Sequence, residues 1–131
     1  TLMAWLPGGA NAEILVVASK GAEVAGITLE DVRQLFSGTK RSIGGIDMTP
    51  VDLSPESPVR EEFYQQGMTK NAAQMRSYWA RMTFTGRGNP PRAVNTVREL
   101  TTLLSPSGSQ YIGYVNREDV SEDMAVLFVL N

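Results

Sequence analysis

The run Ile14-Leu15-Val16-Val17-Ala18 narrows the possible folds of this chain more than any other segment. A strand with one face in water alternates apolar and polar side chains. Five apolar residues in a row describe instead a strand covered on both faces. Such a strand lies inside a sheet and needs other layers above and below it. The rest of the sequence supplies them. Thr28, with Asp31 three positions on, marks a helix start, and Leu29, Val32, Leu35 and Phe36 form one apolar stripe that ends at Gly38. Val51 and Leu53, behind Pro50, predict an edge strand or a strand entered at the proline. Ser57-Pro58, followed by Glu61 and Glu62, opens a second helix that Gly67 closes. Asn71 to Phe84 places Met75, Tyr78, Trp79 and Met82 on the buried side of a third helix, with Arg76 and Arg81 outward. Residues 85–91 form a loop rich in glycine and proline. Thr96 and Glu99 make a capping box for a fourth helix, and Tyr111 to Val115 and Ala125 to Leu130 are strands. This alternation predicts an α/β fold, a three-layer sandwich with a mixed, mostly parallel sheet.

A chain of 131 residues makes one core, and nothing in its composition marks a second domain. Twelve lysines and arginines stand against 14 acids, so the formal charge is −2 and no phosphate-neutralising nucleic-acid surface is expected. The chain has neither cysteine nor histidine. That removes thiol nucleophiles, disulfides, the usual base at neutral pH and the commonest metal ligands. No catalytic residue, metal site or cofactor is expected, and no phosphate-cradling glycine loop is present.

Residues 1–12 read differently from the rest. They carry no charge and run Leu2-Met3-Ala4-Trp5-Leu6, Pro7-Gly8-Gly9, Ala10-Asn11-Ala12. An apolar stretch, a turn and small residues at A-x-A spacing are the end of a secretory signal, with cleavage expected between Ala12 and Glu13. The chain as given then begins inside that signal, and residues 13–131 form the exported domain. The alternative is a short apolar segment kept in the folded protein. Elsewhere no run approaches the roughly 18 apolar residues that span a bilayer.

Four stretches in order resemble the periplasmic phosphate-binding proteins of ABC transporters, most closely their short single-lobe relatives. They are Leu29-Glu30-Asp31-Val32-Arg33-Gln34-Leu35-Phe36-Ser37-Gly38, then Ser57 to Phe63, then the run from Tyr78 through Trp79 to Pro91 with its W-x-R-x-x-F-T-G-R-G-x-P-P pattern, then Ile112-Gly113-Tyr114-Val115. The resemblance implies one lobe of a type II periplasmic binding protein, a periplasmic location and a role in solute binding rather than catalysis. It implies as partner a small anion, phosphate or another oxyanion. The alternative is another envelope protein that meets a lobe which has lost its ligand.

The same resemblance locates an anion site at a strand end and a helix start, where an arginine turn and a G-S-G-T stretch would bind phosphate. Here Leu53 stands at the arginine position, Glu56 at the first glycine, Ser57 at the serine, Pro58 at the second glycine and Val59 at the threonine. Only the serine is kept, so high-affinity phosphate capture is not expected. Ser54, Ser57, Val59 and Arg60 are the candidate ligand residues there. Ligands of open α/β sheets lie beyond the carboxyl ends of strands, which adds Ser19 and Lys20 after the first strand. Arg87 and Gly88 complete the set, because a guanidinium in a Gly-Arg-Gly turn can fork onto a carboxylate or phosphate. Each has a plainer reading as well. Ser57 caps its helix, Lys20 is a solvated loop lysine, and Arg87 pins its own loop.

Overall fold

The structure, a computed structural model, describes residues 13–22 and 24–130. The expected signal remnant, residues 1–12, lies outside them.

Strand β1 (Ile14–Ser19) is buried along its whole length, as its unbroken apolar run requires. Helix α1 (Leu29–Phe36) follows, held by the expected capping box in which Thr28 Oγ1 accepts from the Asp31 amide and the Asp31 carboxylate accepts from the Thr28 amide. Strands β2 (Ser42–Ile43) and β3 (Ile46–Asp47) make a small hairpin. Its turn residues Gly44 and Gly45 have φ of 61° and 82°, the pair of positive values that a tight two-residue turn demands. Then come β4 (Thr49–Asp52), α2 (Pro58–Phe63), a single π-helical turn over Tyr64–Met68, and α3 (Ala72–Phe84). The chain ends through β5 (Arg92–Ala93), α4 (Val97–Leu104), β6 (Tyr111–Asn116), a short 3-10 turn over Arg117–Asp119, and β7 (Met124–Leu130).

The main sheet has the order β5-β4-β6-β1-β7. β4 lies parallel to both of its neighbours, whereas β1 lies antiparallel to both of its own, so four strands point one way and β1 runs against them. β4 is therefore an interior strand. It tolerates Pro50 because β5 pairs only with Val51 and Asp52, leaving the proline without a partner on that side. Opposite β1, β7 carries one extra residue, Leu127, between the partners of Val16 and Val17, a bulge in the last strand of the sheet.

Helices cover both faces, and β6 shows how. Tyr114 points to one face, where its ring stacks on Phe63 of α2 at 3.9 Å and 4° while Phe36 of α1 meets both rings edge-on. Gly113 points to the other face, where a Cβ would come within 2.8 Å of Leu100 Cδ1 on α4. The absent side chain is what lets α4 settle onto the sheet.

Candidate functional site

β4 ends in Asp52, an acid buried to 5% exposure in an otherwise apolar neighbourhood. Burying a charge is costly unless every lone pair is met, and here the fold meets them. Tyr64, in the π-helical turn after α2, donates its hydroxyl to Asp52 Oδ2 at 2.5 Å. Tyr114 reaches across from the neighbouring strand and donates to Oδ1. The Leu53 amide lies 3.1 Å from the same oxygen, and Arg60 Nε stands 3.9 Å from Oδ2. Arg60 is fixed in turn by an Nη1 bond of 2.8 Å to the Leu53 carbonyl and by the Tyr64 ring 5.2 Å below its guanidinium. Burial first, and then the Asp52 charge, push the Tyr64 and Tyr114 hydroxyls above the usual tyrosine range. Both are therefore donors at neutral pH.

Four of the residues expected to bind ligand come together at this end of β4. Ser57 Oγ caps α2 by accepting from the Val59 amide at 3.2 Å, and Ser54 Oγ accepts from the Glu56 amide at 3.2 Å. The Arg60 amide bonds the Ser57 carbonyl and Pro58 has none, so the first three positions of α2 keep no amide for an anion. The Val59 side chain packs against the core. The arginine, hydroxyl and amide groups at this end are thus turned toward an internal carboxylate and toward the helix's own start.

Ser19 and Lys20 do not join this group. Because β1 runs against β4, its carboxyl end lies where β4 and β6 begin: Ala18 pairs with Ile112, and Thr49 with Tyr111. There Ser19 is fully buried and donates to the Ser109 carbonyl at 3.1 Å, while the Lys20 carbonyl takes the Gly108 amide. Arg87 and Gly88 line a third place, a cleft of about 470 Å³ beside the start of β4, with Thr49, Pro50 and Arg92.

Beyond Asp52 opens a wider groove of about 890 Å³. Met75, Trp79 and Ala80 of α3, with Pro90 and Pro91, form its apolar wall, and Arg60 and Arg76 bring cations to it. Phe84, at the end of α3 on the same groove, is 91% exposed. No set of three acids close enough to share a metal ion occurs among the described residues.

Asp52, Tyr64 and Tyr114 were not among the expected site residues. Their one sequence signal is an acid between Val51 and Leu53 in an apolar strand, and its partners stand 12 and 62 residues away.

No family profile and no curated protein matches the chain by sequence. Solved structures do match it. An ABC-type phosphate transport receptor from Vibrio cholerae aligns with a TM-score of 0.67 at 16% identity, over 88% of this chain and 46% of that one. A phosphate ABC transporter substrate-binding protein from Clostridium perfringens, solved with bound phosphate, aligns at 0.64 and 14%, over 88% and 45%. PstS from Borrelia burgdorferi aligns at 0.64 and 14%, over 88% and 47%. The chain thus spans about half the length of these proteins and has the fold of one of their lobes.

Proposed function

We propose that the chain is an exported, non-enzymatic domain of the substrate-binding-protein type, which at the carboxyl end of β4 holds small anions only weakly. The observation that carries this reading is Asp52. Its carboxylate occupies the place to which Tyr64, Tyr114, the Leu53 amide and Arg60 converge, so an oxyanion arriving there meets a like charge instead of free donors. A single lobe also offers only one wall to a ligand. Export rests on the composition of residues 1–12, read as the end of a secretory signal cut between Ala12 and Glu13, and on the sequence resemblance to periplasmic phosphate-binding proteins. No helix among the described residues is long and apolar enough to cross a membrane.

Calorimetry with inorganic phosphate tests this reading. The expected result is no binding tighter than about micromolar, and a nanomolar dissociation constant would overturn the role given to Asp52.

The groove favours a second reading, an interaction module derived from such a lobe. A phenylalanine 91% exposed beside an apolar wall is unusual for a side chain without a partner. With Arg60 and Arg76 on that wall, the fitting partner is an envelope-protein segment that presents apolar side chains flanked by carboxylates. A thermal-shift panel of oxyanions that leaves the melting temperature flat would favour this second reading.

A further inference from the structure

We propose that the cleft beside the start of β4 binds a small organic polyanion, a molecule that carries two or more phosphate or carboxylate groups. Asp52 does not line the site, which shares Trp79, Pro90 and Pro91 with the groove beyond Asp52 but draws its charge from other residues and stands independently of the reading given to that end of the strand.

Charge is the first argument. Lys40, Arg41, Arg87 and Arg92 line the cleft against one acid, Asp47, in a chain whose formal charge is −2. Lys40 is already paired with Asp31 at 2.9 Å. Among the described residues Arg41, Arg87 and Arg92 have no carboxylate within ion-pair distance. An acidic protein that gathers three unpaired guanidinium groups around one concavity raises the local concentration of anions there.

The second argument is that the three arginines come from separate segments whose backbones are fixed. The Arg41 carbonyl accepts from the Met48 amide at 2.9 Å at the base of the β2–β3 hairpin. The Arg87 amide donates to the Met82 carbonyl at 2.8 Å, which closes the turn after α3. Arg92, in β5, is in register with Val51 of β4. Three separate backbone segments, each held by its own hydrogen bonds or pairing, thus bring an arginine to the lining of one cleft.

Size and lining set the class of ligand. A cleft of about 470 Å³ has room for more than an inorganic ion. Trp79, Pro90 and Met48 give it an apolar wall for an organic body, and Asn89 and Gln110 add neutral hydrogen-bonding groups. Each exposed guanidinium contributes little by itself and is screened by salt. Retention then requires a ligand that engages two or three of them at once.

Calorimetry on the full chain with citrate and with fructose 1,6-bisphosphate tests the proposal and separates carboxylate from phosphate chemistry. At least one should bind saturably at low ionic strength and weaken about tenfold as sodium chloride rises from roughly 20 to 200 mM. The double variant R87A/R92A should lose about tenfold in affinity with its melting temperature unchanged, because both side chains are exposed. R98A, on the exposed face of α4 away from the cleft, should bind like the parent. The proposal fails if neither probe saturates, if R87A/R92A binds like the parent, or if R98A loses as much as the double variant. The orthophosphate experiment, repeated on R87A/R92A to remove any binding in this cleft, reports on Asp52, and the R87A/R92A comparison with the organic probes reports on this cleft.

Discussion

Asp52 shows how one residue changes what a strand end can do. The donors that gather on it are those an oxyanion receptor needs: two hydroxyls, an amide and a guanidinium. Removing the carboxylate leaves them unpaired in a buried place. Asp52→Ala should therefore lower stability by about 3 kcal/mol, as measured by denaturant unfolding. The same variant has a vacancy of carboxylate shape and charge, so formate or acetate should raise its melting temperature more than that of the parent. Equal shifts in the two proteins would show that the donors do not form an anion site. Neither the acid nor the tyrosines stood out in the sequence. Asp52 falls between the two apolar residues that mark the strand, Val51 and Leu53, and Tyr114 falls in the apolar run Ile112-Gly113-Tyr114-Val115, so neither is set apart by its neighbours. Only the pairing of β4 beside β6 puts the Tyr114 hydroxyl on Asp52.

At the scale of elements, local chemistry was legible where the partners are close in sequence. The Thr28 and Asp31 box and the Ser57 cap form as expected, since each joins atoms within three residues. Displacements arise where packing intervenes. Glu99 bonds the Asn95 amide rather than the Thr96 amide, one position outside the expected box. Gly67 does not close its helix. The π-helical turn runs past it to Thr69, which takes the left-handed conformation at φ 55°, and Gly67 is instead tucked against Phe63 and Leu130. Phe84, at the end of α3, lies outside the Met75 and Trp79 stripe and stays in water. α4 approaches β6 closely at Gly113. Gly113→Ala would press a methyl group into the Leu100 side chain. The expected cost is about 2 kcal/mol in chemical denaturation, and Leu100→Ala in the same background should restore part of it.

For the whole molecule, pH dependence follows from where the titrating groups are held. The Tyr64 and Tyr114 hydroxyls titrate above the ordinary value because burial and the Asp52 charge disfavour the phenolate. Their contribution to stability is complete below the unfolded-state value near pH 10 and is lost as pH rises toward the folded-state values. Thermal melts should therefore show a fall in stability beginning at about pH 10 that is smaller in Tyr64→Phe. Asp31 behaves in the opposite sense. The Lys40 ammonium and the Thr28 amide and hydroxyl hold its carboxyl below the usual range, so its contribution is present above about pH 4 and disappears as pH falls through the folded-state value. By itself the sequence determined the layered α/β class, the helix starts and the resemblance to one binding-protein lobe. The first two depend on periodicity and on contacts a few residues long, and the resemblance on four short motifs in order. The tertiary structure alone decided strand direction, and with it the site. β1 runs against β4, which sends Ser19 and Lys20 to one end of the sheet and Ser54, Ser57 and Arg60 to the other. Apolar runs carry no sign of direction. That choice is made by pairing between strands about a hundred residues apart, and it determines which charged groups gather at each end of the sheet.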